Sequence, residues 1–134
     1  MATFPIEVMT PEGPAFEGEV EMISTRTAIG SLGIRANHQP ILTMLENSEL
    51  RLHMGDNEVK RFAQGEGYLQ MTENHALLLV EEAIPAEELN VDDLRAKLGE
   101  AEARLEKAEA ESAAYDRAKN DVARYTLYLA IAES

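Results

Sequence analysis

A chain of 134 residues with 45% apolar side chains carries enough hydrophobic material for one modest domain plus an appendage, which excludes general disorder. Its formal charge of −13 sets it against nucleic acid and anionic lipid, because binding phosphate depends on Lys and Arg. The absence of cysteine excludes disulfides and thiolate metal sites and fits a reducing compartment.

The amino-terminal MATFPIEVMTPEG has neither the basic nor the apolar region of a signal peptide, so none is expected. Nor does any apolar run approach the length needed to cross a bilayer. Membrane association is therefore expected to run through a protein partner, without direct insertion. The charge is uneven: residues 1–89 hold 15 acids and 5 bases, whereas residues 90–134 hold 10 and 7.

The first 85 or so residues have the pattern of strands. Phe4, Ile6 and Val8 alternate with polar positions before TPEG breaks the run. Phe16 precedes, and Val20, Met22 and Ile23 lie in, one long extended stretch, EGEVEMISTRT. Gly55-Asp56-Asn57 and Thr72-Glu73-Asn74 each separate two strand-like runs and mark hairpins. Several short strands at this spacing predict a compact β-sandwich over residues 1–86.

From Pro85 the pattern changes, and residues 87–134 are expected to form helices. Ala, Glu, Leu, Lys and Arg dominate, and beyond Asn90 there is one glycine and no proline. Asn90 is placed to cap a first helix, with Asp92 and Asp93 in its positive first turn. Val91, Leu94, Leu98, Ala101, Leu105, Ala108 and Ser112 follow helical spacing; Tyr115, Ala118, Val122, Tyr125, Leu129 and Ala132 resume it.

Two consecutive steps of three, at Ser112, Tyr115 and Ala118, break the repeat and place a hairpin turn near Glu111–Ala114. No Gly or Pro marks that turn, so one long helix and an antiparallel pair both remain open. The seam is alanine-rich and thin, and two near-degenerate arrangements are what a switch requires. Leu127, Tyr128 and Ile131 lie off the main stripe, available to a partner's groove or to the sandwich. Pairs Asp93–Lys97 and Glu100–Arg104 at i, i+4 indicate an exposed helix face.

Three candidates invite a chemical reading. Ala28–Leu42, AIGSLGIRANHQPIL, holds two glycines, an arginine and a histidine. It lacks the lysine of a phosphate loop, and Gly30 and Gly33 are better explained as turn residues between strands. His38 has no nucleophile pattern around Ser24, Ser31 or Ser48. With His53 and His75 it is scattered rather than spaced for metal, so no catalytic or metal site is expected. Asp92 and Arg95, three apart on one helical face, could meet a nucleotide but are simply explained as an i, i+3 ion pair at a helix start.

Taken together, these features resemble the epsilon subunit of the F-type ATP synthase over essentially the whole chain. The strongest match is Gly30-Ser31-Leu32-Gly33-Ile34-Arg35-Ala36-Asn37-His38-Gln39-Pro40-Ile41-Leu42-Thr43, where that family has G-x-L-G-I-[LY]-P-x-H-x-P-[LI]-[LIV]-T. IEVMTPEG, Phe16-Glu17-Gly18 and Gly65-Glu66-Gly67 add to it. Arg35 and Ala36 depart from the usual apolar residue and proline, which is expected to leave the loop less rigid.

The resemblance implies an α+β chain in two segregated parts, an N-terminal β-sandwich followed by a helical hairpin able to extend. It implies a non-catalytic rotor subunit with no active site and no required cofactor, peripheral on the cytoplasmic face of a bacterial inner membrane or the stromal face of the thylakoid. The implied partners are the gamma subunit, the c ring and, when the helices extend, the alpha and beta subunits. The implied ring-contact residues are Ser31, Leu32, Ile34, Arg35 and His38.

Some bacterial relatives bind regulatory ATP through [Ile/Leu]-Asp-x-x-Arg-Ala, matched here by Val91, Asp92, Arg95 and Ala96. Arg117 and Arg124 are loose second-helix candidates. Glu102 stands where ATP-binding relatives carry an arginine.

Overall fold

The computed structural model describes residues 2–134. The chain divides into a unit ending at Ala86 and a second, Glu87–Ser134. The first contains β1 (Phe4–Thr10), β2 (Gly13–Val20), β3 (Met22–Thr27), β4 (Gly30–Arg35), β5 (Ile41–Leu45), β6 (Ser48–Gly55), β7 (Glu58–Gln64), β8 (Gly67–Thr72), β9 (His75–Val80) and β10 (Ala83–Pro85). They form two five-stranded sheets, ordered β2-β1-β9-β8-β5 and β10-β7-β6-β3-β4. This is the β-sandwich that the strand spacing predicts.

Alternation builds the layer between the sheets. Phe4, Ile6 and Val8 of β1 are enclosed, as are Leu50 and Leu52 of β6 and Leu69 and Met71 of β8. The two expected hairpins form where Asp56-Asn57 and Glu73-Asn74 take positive φ, +53° and +63° in one and +48° and +61° in the other. Paired left-handed residues give a turn whose twist matches the flanking strands.

The stretch EGEVEMISTRT is not one strand. It breaks at Glu21, whose backbone N–H donates to the His53 carbonyl at 2.7 Å, and passes from one sheet to the other. Val20 and Ile23 on either side are fully buried, so the break keeps both flanks in the core.

One polar group spans the interior. Gln64 is fully buried; its Oε1 accepts from the Thr25 hydroxyl at 2.6 Å and its Nε2 donates to the Glu46 carbonyl at 2.9 Å and the Gly65 carbonyl at 3.1 Å. A satisfied buried amide of this kind fixes the register of the strands and turns it joins.

The second unit contains α1 (Val91–Lys107) and α2 (Ala113–Glu133). The Asn90 side chain caps α1 by accepting from the Asp93 N–H at 2.9 Å. The helices fold back on one another, with Leu94, Ala101 and Ala118 buried.

The turn lies at residues 108–112, earlier than the break in the repeat suggests. Ser112 anchors it: its hydroxyl accepts from the Tyr115 N–H at 3.1 Å and donates to the Glu109 carbonyl at 2.7 Å. Ser112 is thus a helix cap and not a seam residue. Tyr128 and Ile131 are buried, Tyr128 presenting its ring edge-on to Tyr125 at 6.5 Å.

Candidate functional site

The stretch that sequence reasoning treats as one loop is mostly strand. Gly30–Arg35 is β4, paired along its length with β3. Only Gly30, with φ of +132°, serves a turn; Gly33 is an ordinary strand residue. Alternation then divides the five candidate contact residues. Ser31 and Arg35 point outward and are exposed, whereas Leu32 packs against the core and Ile34 is fully buried within it. Ile34 therefore anchors the strand and offers no side chain to a partner.

His38 lies past the other end of β4, roughly 20 Å of strand away from the β3–β4 tip. Its backbone N–H donates to the Arg35 carbonyl at 3.2 Å, and its Nδ1 lies 2.7 Å from the Gln39 carbonyl. Asn37, at φ of +64°, donates its N–H to the Asn74 side chain at 2.7 Å. The corner lacks the proline of the motif it resembles but is pinned from the β8–β9 turn. The two ends also differ in what they expose. At the β3–β4 tip Ile29 is 99% exposed, a residue the sequence analysis does not single out.

A second surface emerges only once the strands are paired. On the outer face of the first sheet Met44 of β5, Tyr68 of β8, Leu79 of β9 and Met9 of β1 are consecutive partners in one row. Leu42 lies on the same face, one pair along β5. Leu42 is 70% exposed, Met44 66%, Tyr68 50% and Leu79 49%. Exposed apolar and aromatic side chains gathered on one face mark an interaction surface. A groove of about 320 Å3 continues the row past Met9, Tyr68 and Leu79 to Glu66 and Glu81.

The outer face of the second sheet is basic. Arg26, Arg35, Arg51 and Arg61 all project from it, four of the five basic residues in 1–89. Arg51 and Arg61 are direct cross-strand partners, and Glu49 lies between them, accepting from Arg51 Nε at 2.6 Å and Arg61 Nη2 at 2.6 Å. Partial burial pushes the Glu49 carboxyl upward, but the two guanidinium hydrogen bonds prevail and hold it below the usual glutamate range. The fold also brings Ser24 Oγ to 3.3 Å from His53 Nε2, a pair 29 residues apart that no sequence spacing connects.

In the helical unit Asp92, Arg95 and Ala96 are exposed and Val91 is half-buried in the first turn of α1. Asp92 and Arg95 do not pair with each other. Of the two expected i, i+4 pairs, Asp93–Lys97 forms at 3.2 Å. Arg104, expected to pair with Glu100, instead crosses to Asp121 of α2 at 3.1 Å. Arg117 is exposed, and Arg124 donates to Asp121 at 3.2 Å. Glu102 and Glu106 line a groove between the helices.

Among the described residues no cluster of His, Asp or Glu is arranged to hold a metal, and no helix is long and apolar enough to cross a membrane.

Residues 3–86 match the family model described as the ATP synthase delta/epsilon chain, beta-sandwich domain. The chain is 39% identical over 106 residues to the ATP synthase epsilon chain of Persephonella marina, covering 79% of this chain and 78% of that one. It is 32% identical over 132 residues to the epsilon chain of Halalkalibacterium halodurans, covering 98% of each.

Among solved structures it is similar in fold to a chain in the Euglena gracilis mitochondrial ATP synthase OSCP/F1/c-ring assembly. There the TM-score is 0.83 at 18% identity, over 97% of this chain and 81% of that one. A chain of the Tetrahymena thermophila central stalk and c-ring structure gives 0.63 at 16% identity, over 96% and 95%.

Proposed function

The chain belongs to the ATP synthase epsilon-chain family, and we propose that it is a non-catalytic central-stalk subunit that couples ring rotation to the catalytic head and restrains ATP hydrolysis through its helices. The observation that carries this reading is the row of exposed Met44, Tyr68 and Leu79, continued by half-buried Met9, on a sandwich whose interior is already filled. Such a face is of use to the chain only when covered, and the gamma subunit is the partner assigned to it.

Ile29 and Ser31, at the β3–β4 tip, are assigned to the polar loops of the c ring. An apolar side chain as exposed as Ile29 is suited to a contact, whereas the His38 corner is held by internal hydrogen bonds. The helical unit is assigned to alpha and beta in its extended form. Membrane attachment is then peripheral, through the ring, on the side that faces the head.

A second reading, an ATP-sensing role for Val91, Asp92, Arg95 and Ala96, draws on the exposure of Asp92 and Arg95. Calorimetry with ATP tests it; heat that Arg95→Ala abolishes supports it, and no heat at millimolar ATP removes it. The leading reading is tested by deleting residues from Asn90 onward. The shortened chain should still assemble with gamma and the ring while ATP hydrolysis rises. Unchanged hydrolysis would remove the restraining role.

A further inference from the structure

The helical unit contains a carboxylate that joins its two helices. Asp121 sits within α2 with its side chain 23% exposed. Its Oδ2 accepts from Arg104 Nη1 of α1 at 3.1 Å, and its Oδ1 accepts from Arg124 Nη2 of α2 at 3.2 Å. Arg124 also donates to the Tyr125 hydroxyl at 3.0 Å, and its guanidinium carbon stacks 4.7 Å from that ring's centroid. One cation from each helix therefore meets on one anion, and an aromatic residue of the seam fixes the second cation.

Two other features make this link matter. Beside Leu94 the seam buries two alanines, Ala101 and Ala118, which contribute little apolar area. The turn, moreover, opposes closure. Glu111 holds a φ of +65° with no glycine to accept it, a strain that a continuous helix through 108–112 would relieve.

We propose that Asp121 is the positioning residue that holds the hairpin closed, a built-in anion between Arg104 and Arg124, so that closure needs no nucleotide or other anionic ligand. The consequence for hydrolysis rests on the regulatory reading above; the closure itself does not.

The absence of cysteine makes the test direct. Spin labels on Ala103→Cys and Ala123→Cys of the full chain report the distance between α1 and α2. A continuous helix would place these sites roughly 30 Å apart, whereas packed helices have axes about 10 Å apart. Asp121→Asn should raise the ratio of long to short distances roughly fivefold, and Arg104→Gln should do the same. The double variant should open no further than either alone, because both remove one link. Asp121→Glu, which keeps the charge, should remain mostly closed, and about 1 M salt should raise the ratio in the parent chain but raise it no further in Asp121→Asn.

An unchanged distance distribution in Asp121→Asn, additive effects of the two single variants, or closure that requires added ATP would each overturn the proposal. If Asp121→Asn opens the hairpin while deletion from Asn90 leaves hydrolysis unchanged, the regulatory reading fails and this link stands. The reverse pair of results would remove the link alone.

Discussion

Truncating Tyr68 and Leu79 together probes the docking face most cleanly. The two are direct partners across β8 and β9, and each leaves about half its surface uncovered, 50% and 49%. Fully burying a side chain of this size stabilises by about 1.5–3 kcal/mol, so a partner covering the exposed half contributes about 1 kcal/mol at each residue. Tyr68→Ala with Leu79→Ala should then weaken docking by about 2 kcal/mol, roughly 30-fold in affinity.

The inner layer is formed by the alternate residues Leu69, Met71, Leu78 and Val80, so the sandwich should stay folded. Titration of a gamma–ring subcomplex with each chain, alongside far-ultraviolet circular dichroism, makes the measurement. Arg26→Ala, on the opposite outer face, is the control and should stay within about twofold. A loss below threefold in a natively folded double variant would refute the assignment of this face.

Gly67 should tolerate no side chain: a Cβ there would lie 2.6 Å from Val80 Cα and closer still to the Leu79 carbonyl, forcing β8 and β9 apart. Gly67→Ala is expected to lower unfolding stability by about 2–4 kcal/mol in urea titration. Glu49→Gln should cost about 1–2 kcal/mol at neutral pH by weakening the bonds to Arg51 and Arg61. Because the folded carboxyl sits below its usual range, that contribution is fully present above the ordinary glutamate value and lost as pH falls through the folded one. Parent and variant stabilities should therefore converge only as pH falls through that lowered folded value. Glu111→Gly accepts the left-handed turn without strain, and should stabilise the hairpin by about 0.5–1 kcal/mol and raise ATP hydrolysis in the assembled enzyme.

Local chemistry made much of this fold legible. Asp56-Asn57 and Glu73-Asn74 form turns because each pair supplies the left-handed conformations a tight hairpin needs, and Asn90 caps α1 by a bond to a residue three positions on. Where the deciding partner is distant, the pattern was silent. Nothing near Asn37 points to Asn74, and nothing near Arg104 favours Asp121 over the closer Glu100.

The apolar row was hidden for the same reason. Met9, Met44, Tyr68 and Leu79 come from four separate strands and become neighbours only through sheet order. The motif includes Ile34 among the contacts because it records which residues recur and not which way they point; strand alternation turns this side chain into the core. Ser112 falls on the seam spacing in the sequence yet caps α2 in the fold, which moves the turn ahead of the break in the repeat.

The most direct test of the stalk assignment is ATP-driven proton pumping in membranes stripped of their own epsilon subunit and supplied with this chain. Pumping should return when the full chain is added, and Tyr68→Ala with Leu79→Ala should require a higher concentration to restore it. A chain that binds the stripped enzyme yet restores no pumping, or that does not bind at all, would contradict the account.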